Sequence, residues 1–311
     1  MTSRWRTVWA TGESDERIVR LGMAGPDVVV SADHGGAIEA RWAGDGSPVA
    51  APTYTGITGI LALAAWRHGE SVRVATGAGS RHVSHRWLQR WDLVARKEIP
   101  PAIDMNVMGV KHVDPAIVHG EQVLVVVSQG VLGIRRTDDG SVIDEVTKHR
   151  STSRVVIGST GRGPVAVTSS HAEHPQLFWL EDLTEAVRLP HAEGEFIAAM
   201  EGDRLVCGSY AEPWNAWQTT WAGDLSGRRL GPPVTGEVIT AVAVAAWPAV
   251  YIARADRTVS LVDLESGREL APALRLPKRA RSLVVVDGRD VIAGFGLEVA
   301  RFEPPAWKDE A

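Results

Sequence analysis

The chain has 311 residues, of which 44% are apolar and 23% charged, and its formal net charge is -5 at pH 7. This composition is typical of a globular protein with a full apolar core, and the negative charge provides no basic field for nucleic acid or anionic membranes. The first residues lack an apolar secretion signal, and the longest apolar run, residues 238–253, is interrupted and too short to span a membrane. We therefore expect a soluble cytoplasmic protein that binds neither nucleic acid nor membrane.

The cysteine content agrees with this location. Cys207 is the single cysteine, which excludes an internal disulfide and fits a reducing compartment. Its neighbours in RLVCGS are mostly apolar, so the sequence predicts a buried and inert thiol.

Seven short apolar runs recur along the chain with the period of β-strands rather than of helices. They begin near residues 27, 71, 122, 164, 204, 249 and 290, a spacing of about 40 to 50 residues. Each run is preceded by another apolar strand and followed by a third, and several third strands end in a tight turn such as Asp139-Gly140. A four-stranded propeller blade has this repeat length, so the spacing predicts seven blades.

The predicted fold is an all-β, seven-bladed β-propeller of four-stranded antiparallel blades that occupies residues 1–311 as a single domain. Blades are expected near residues 16–52, 56–100, 106–146, 152–190, 194–232, 237–272 and 279–303. The last repeat supplies only three strands, and we predict that the isolated strand at residues 5–12 pairs with it. This pairing would close the ring and remove the open sheet edges that promote aggregation.

The repeats resemble those of WD40-like β-propellers over essentially the whole chain. The resemblance rests on the repeat length, on the Trp91-Asp92 pair that closes a third strand, and on the turns Asp139-Gly140, Ser226-Gly227 and Ser266-Gly267. The run VSLVDLESGRELAPAL is also similar to the repeats of quinoprotein-like propellers, which stay open as the alternative. The WD40-like resemblance implies a scaffold for protein-protein interaction, although propellers host many unrelated activities.

In a propeller, the loops from second to third strands and from each blade to the next lie on one face, which we call the top face. Sorting the loops in this way predicts a set of top-face binding residues. They are His34, Tyr54, His82, His85, His149, Arg150, His171, His174, His191, Tyr210, Trp214, Trp217 and Lys278. The tryptophans of blade 5 are expected to be exposed, as a ligand platform or an interface anchor.

Two His-x-x-His pairs are candidate metal ligands, namely His82 with His85 and His171 with His174. A zinc-type site needs three or four converging ligands, and each pair supplies two at most. In an extended segment, residues three apart also point to roughly opposite sides. We therefore predict no cofactor and keep a divalent metal at these four histidines as the alternative.

The sequence contains no Walker A loop, no G-x-S-x-G elbow, no C-x-x-C pair and no H-E-x-x-H helix. We accordingly favour a non-catalytic interaction scaffold that uses top-face loops and rim to bind another protein or a protein assembly. The alternative is an enzyme or small-ligand binder with a histidine-rich top-face pocket. A similarity in expected fold and histidine placement to streptogramin-lyase-like propellers would make that alternative a metal-dependent lyase.

Overall fold

The computed structural model describes residues 4–12, 14–78, 87–105, 109–128, 130–147, 154–169, 174–190, 195–211 and 216–306. Within these residues, thirty β-strands form seven antiparallel sheets arranged in a ring. The predicted all-β, seven-bladed propeller is therefore confirmed. The same residues contain no helix that is long and apolar enough to cross a bilayer.

Each blade has four layers from the central channel to the rim. The innermost strands are β2 (Ile18–Ala24), β6 (Ile60–His68), β11 (Val110–Val118), β15 (Arg154–Thr160), β19 (Glu195–Glu201), β23 (Ile239–Val244) and β28 (Ala280–Val286). The second strands are β3 (Val28–Asp33), β7 (Ser71–Ala78), β12 (Glu121–Ser128), β16 (Gly163–Ser169), β20 (Arg204–Ala211), β24 (Ala249–Arg254) and β29 (Asp290–Phe295). The third strands are β4 (Ala37–Trp42), β8 (Trp87–Asp92), β13 (Val131–Arg136), β17 (Gln176–Trp179), β21 (Ala216–Asp224), β25 (Thr258–Asp263) and β30 (Glu298–Glu303).

The outermost layer differs from blade to blade. It consists of β5 (Thr53–Tyr54), β9 (Lys97–Glu98) with β10 (Ile103–Asp104), β14 (Val142–Thr147), β18 (Asp182–Arg188), β22 (Val234–Thr235), β26 (Arg268–Glu269) with β27 (Leu274–Arg275), and β1 (Arg6–Ala10). In blades 1, 2, 5 and 6 this layer is broken into short pieces, and prolines such as Pro101, Pro232 and Pro272 stand in the breaks. Proline has no N–H group for a ladder and is tolerated at a sheet edge, where it also discourages pairing with another chain.

These breaks explain a difference from the predicted blade limits. Four blades were expected to end at residues 52, 100, 232 and 272, but β5, β10, β22 and β27 lie beyond those positions. In blade 6, for example, the outer chain pairs first with the lower half of the third strand, where Glu269 lies opposite Val262. After the proline it pairs again with the upper half of the same strand, where Leu274 lies opposite Val259. A proline therefore interrupts these outer strands without ending the blade.

The innermost strands share an irregularity near the top face. In six of them the register against the second strand shifts across a single residue, which is Val19, Leu61, Lys111, Ala198, Thr240 or Arg281. Such a bulge adds one residue and turns neighbouring side chains in a new direction. Accordingly β2, β11 and β28 each begin with one buried residue, two half-buried residues and another buried residue instead of strict alternation.

The N-terminal strand closes the ring, as the sequence predicted. β1 pairs antiparallel with β30, and Thr11 adds a backbone hydrogen bond of 2.9 Å to the carbonyl of Val299. β1 also reaches blade 1, since Trp9 Nε1 donates to the carbonyl of Ala43 at 2.9 Å. The indole lies so close to Gly46 that a Cβ there would be 2.6 Å from the ring, and the φ of +74° at Gly46 favours glycine as well.

The core consists of seven apolar clusters, several of which join neighbouring blades. Cys207 lies fully buried in the cluster that joins blades 4 and 5. Burial raises the pKa of its thiol, because the thiolate would lose its hydration. The prediction of a buried thiol is confirmed.

Candidate functional site

The structure describes only part of the predicted top-face set. His82, His85, His149, Arg150, His171, His191 and Trp214 lie outside the described residues. Tyr210 is placed by its backbone alone, near the end of β20. His34, Tyr54, His174, Trp217 and Lys278 can be examined together with their surroundings.

Four of these five residues have at least part of their surface in solvent. His34 is half-buried in the turn between β3 and β4, and His174 is half-buried just before β17. Tyr54 in β5 is 65% exposed, and Lys278 is exposed just before β28. His34 alone of the four lines the cavity of about 430 Å³ on this face, and Tyr54, His174 and Lys278 are not part of its lining.

Trp217 differs from the expectation of an exposed platform. Its side chain is only 3% exposed and packs edge-on against Phe196, with ring centroids 5.2 Å apart. Its Nε1 donates to the carbonyl of Thr219 at 2.9 Å. The indole fills the space above Gly208, where a Cβ would be 2.6 Å from Nε1. The structure therefore corrects the exposure expected for this ring, because a glycine in the adjacent strand leaves room for it inside the blade.

The predicted metal site falls largely outside the described residues. His174 is described, whereas His82, His85 and His171 lie outside the described residues. Among the residues that are described, no group of three or more histidine, cysteine, aspartate or glutamate side chains could hold a metal ion.

The most distinctive top-face feature is a cavity of about 430 Å³ at the upper end of the central channel, which we call the channel mouth. It lies among blades 1, 2, 6 and 7. Its polar lining consists of Arg17, Arg20, His34, Thr240, Arg279 and Arg281. An apolar wall is formed by Val19, Ile60 and Leu61.

The bulges of the innermost strands position these side chains. Val19, Leu61, Thr240 and Arg281 are themselves the bulge residues of β2, β6, β23 and β28, and all four line the mouth. In a regular strand, neighbouring side chains point to opposite faces. The extra residue allows Val19 and the following Arg20 to line the same cavity.

Hydrogen bonds between blades hold the frame of the mouth. Arg20 Nε donates to the carbonyl of Leu61 at 2.7 Å, which joins blade 1 to blade 2. Thr240 Oγ1 donates to the carbonyl of Ala280 at 2.7 Å, which joins blade 6 to blade 7. Side-chain to main-chain hydrogen bonds between innermost strands therefore fix this frame.

The turn that carries His34 is bonded on both sides. The His34 amide donates to the carbonyl of Arg17, and the Gly59 amide donates to the carbonyl of His34, each at 2.9 Å. Below the turn, the buried carboxylate of Asp33 accepts hydrogen bonds from the Ala37 amide and from Ser14 Oγ. His34 thus has a fixed main-chain position at the edge of the mouth.

The charges of the mouth are not balanced. Within the described part of the chain, the guanidinium groups of Arg17, Arg279 and Arg281 have no hydrogen bond or ion pair to a carboxylate. Partial burial, and then repulsion by Arg279 and Arg17, lowers the pKa of Arg281. All three groups remain cationic at neutral pH, so the mouth is positive in a chain whose net charge is negative.

Sequence reasoning named His34 and Lys278 in this region but missed the arginines. The available signal was a pair of basic segments, Arg17 to Arg20 and Lys278 to Arg281, each at the start of an innermost strand. The predicted top-face set contains residues assigned to loops only. Basic residues at the starts of the innermost strands were therefore not predicted.

Sequence comparisons with protein families and curated proteins identify no relative of this chain. No protein-family model matches the chain, and no curated protein matches it significantly in sequence. The assignment as a seven-bladed propeller therefore rests on strand topology.

Proposed function

We propose that this protein is a cytoplasmic, WD40-like binding module that holds another protein on its top face. One observation carries the proposal: Arg17, Arg279 and Arg281 face a single cavity without a carboxylate partner among the described residues. Unpaired arginines grouped on a surface are suited to recognising carboxylate or phosphate groups, because the planar guanidinium offers parallel N–H donors. The favoured partner is a protein with an acidic segment.

Charge complementarity supports an orientation for this partner. The chain carries a net charge of -5, so its overall charge repels an acidic partner. The channel mouth is an exception with several positive charges. Complementary patches of this kind steer the encounter and select one binding geometry.

The top face also offers exposed side chains that suit such an interface. Tyr54 is 65% exposed and Leu61 is 42% exposed. Tyrosine and arginine are enriched among the residues that dominate binding energy at interfaces. The loop between them is already ordered, since Thr55 donates from its amide and its hydroxyl to the carbonyl of Gly36. Little ordering entropy is lost when such a loop binds.

The test compares two triple variants with the unchanged protein. The mouth variant carries R17Q, R279Q and R281Q. The bottom variant carries R136Q, R204Q and R268Q, which remove the same charge from exposed arginines on the opposite face. Proteins captured from an extract of the source cells are quantified by mass spectrometry, and the recovered partner is purified for affinity measurement.

We expect the partner to be retained by the unchanged protein and the bottom variant and to bind the mouth variant at least about tenfold more weakly. Thermal unfolding of all three proteins checks that the variants are folded. Equal affinity for the mouth variant and the unchanged protein would contradict the proposal, as would a loss that is equal in both variants.

A further inference from the structure

We propose that the channel mouth is in addition a pocket for a small anion that carries two or more phosphate groups. The inference rests on the proposed function in that both use the same arginines, but it requires no partner protein. The observations behind it are the shape of the cavity, the number of positive charges that line it and the two neighbouring strands from which the arginines project.

The cavity has the size of a small-ligand site. Its volume of about 430 Å³ lies within the range of roughly 300 to 1,000 Å³ that is usual for such pockets. A partner carboxylate at a flat interface needs no comparable volume. The concave shape comes from the starts of β2, β6, β23 and β28, which meet around the upper end of the channel.

The number of positive charges favours a multiply charged ligand. Arg17, Arg20, Arg279 and Arg281 bring four guanidinium groups to one cavity. A carboxylate neutralises one positive charge, whereas a phosphate monoester carries about 1.5 to 2 negative charges near neutral pH. Two phosphate groups therefore balance the charges of Arg17, Arg279 and Arg281, and their binding relieves the repulsion among these three arginines.

The arginines project into the cavity from two neighbouring innermost strands. Arg17 and Arg20 come from blade 1, while Arg279 and Arg281 come from blade 7. Arg20 also donates to the carbonyls of Leu61 and Val19, which fixes its guanidinium before a ligand arrives. Donors that project from two adjacent strands can contact separate phosphate groups of one molecule.

Part of the cavity wall is apolar. Val19, Ile60 and Leu61 form this wall, and Leu61 is 42% exposed. An apolar wall provides contact area for an organic group attached to the phosphates. The ligand class therefore includes inorganic polyphosphates and organic polyphosphates such as nucleotides, and the experiment distinguishes these two sources.

The experiment is isothermal titration calorimetry of the purified full chain at low ionic strength, without any partner protein. The probes are inorganic tripolyphosphate, inorganic phosphate, citrate and ATP. We expect one tripolyphosphate to bind per chain and inorganic phosphate and citrate to bind at least about tenfold more weakly. ATP binding at least as strong as that of tripolyphosphate would assign an organic ligand, and weaker ATP binding would assign an inorganic one.

The variants locate the site. Each of R17Q, R279Q and R281Q is expected to weaken tripolyphosphate binding about tenfold, because each removes charge-assisted hydrogen bonds. The bottom variant is expected to bind within about twofold of the unchanged protein, since exposed charges at that distance are screened. Melting temperatures measured without ligand show whether each variant is folded.

Three results would overturn the inference: no heat of binding with tripolyphosphate, equal affinity for citrate and tripolyphosphate, or unchanged affinity in the mouth variant. These outcomes are independent of partner capture. If tripolyphosphate binds but no partner depends on the mouth, the proposed function fails and the pocket stands. If a partner depends on the mouth but tripolyphosphate does not bind, the pocket fails and the proposed function stands.

Discussion

Arginines have different surroundings on the two faces of the disc. Toward the bottom face several arginines are paired with carboxylates, as in Arg67 with Asp27 at 2.8 Å and Arg73 with Asp138 at 3.0 Å. At the channel mouth, Arg17, Arg279 and Arg281 have no such pair among the described residues.

The difference shows that one residue type serves two purposes. Both bottom pairs connect neighbouring blades, so their charges are used in holding the ring together. The mouth arginines keep their hydrogen-bonding capacity for a ligand.

Arg90 is the extreme case of a structural arginine. It is fully buried and donates to the carbonyls of Thr137 in blade 3 and Pro101 in blade 2, each at 3.0 Å. We expect R90M to lower the free energy of unfolding by about 2 to 4 kcal/mol, because two carbonyls lose a charged donor. Urea unfolding measures the change, and a loss below about 0.5 kcal/mol would show that these bonds do not hold the blades together.

Arg301 joins blade 7 to blade 1. It contacts the carboxylate of Asp290 at 2.8 Å and donates to the carbonyl of Ala43 at 2.9 Å. We expect R301Q to cost about 1 to 2 kcal/mol of unfolding free energy, because the buried Asp290 carboxylate loses its cation. The matched control is D287N, which removes only the exposed partner of Arg301, and equal losses in the two variants would contradict this account.

The pair of Arg67 with Asp27 is more exposed. Asp27 has 51% of its side-chain surface exposed, and a pair of this kind contributes about 0 to 1 kcal/mol. Arg67 also lies over the ring of Trp42, with its Cζ 5.1 Å from the ring centroid. We therefore expect R67Q to lower the free energy of unfolding by a few tenths of a kcal/mol more than D27N does. A larger loss from D27N would assign the main role to the ion pair.

The mouth arginines are expected to have the smallest effect on stability. In the absence of ligand, the mouth variant is predicted to unfold within about 0.5 kcal/mol of the unchanged protein, or to be slightly more stable as repulsion is relieved. Adding tripolyphosphate to about 100 times its dissociation constant would raise the stability of the unchanged protein by about 2.7 kcal/mol and leave the mouth variant unaffected. A strong loss of stability in the mouth variant would place these arginines in the structural group.

Much of the fold could be predicted from local patterns. The repeat spacing, the apolar strand runs and the turn residues predicted seven blades, and the isolated strand near Trp9 predicted the closure that β1 makes. The split outer strands were not predicted, since a proline is normally a sign that a strand ends. Only the pairing of the residues after the proline with the third strand shows that the blade continues beyond the proline.

The candidate site was less accessible to sequence reasoning. His34 was found because it lies in a loop that topology assigns to the top face. Arg281 was missed because it lies in a bulge, and a bulge changes the direction of a side chain without leaving a sign in the two-residue period. Trp217 was expected to be exposed because its loop looked polar, but its environment depends on Phe196 in a different strand.

The sequence by itself determined which segments become strands, how many blades they form and which strand closes the ring, because these depend on local periodicity and repeat length. The tertiary structure alone decided what the arginines do. Arg17 lies near the N-terminus and Arg281 near the C-terminus, and they share a cavity because ring closure places blade 7 beside blade 1. Arg90 and Arg281 are the same residue type. Arg90 donates hydrogen bonds to carbonyls of two blades, and Arg281 faces a cavity among like charges.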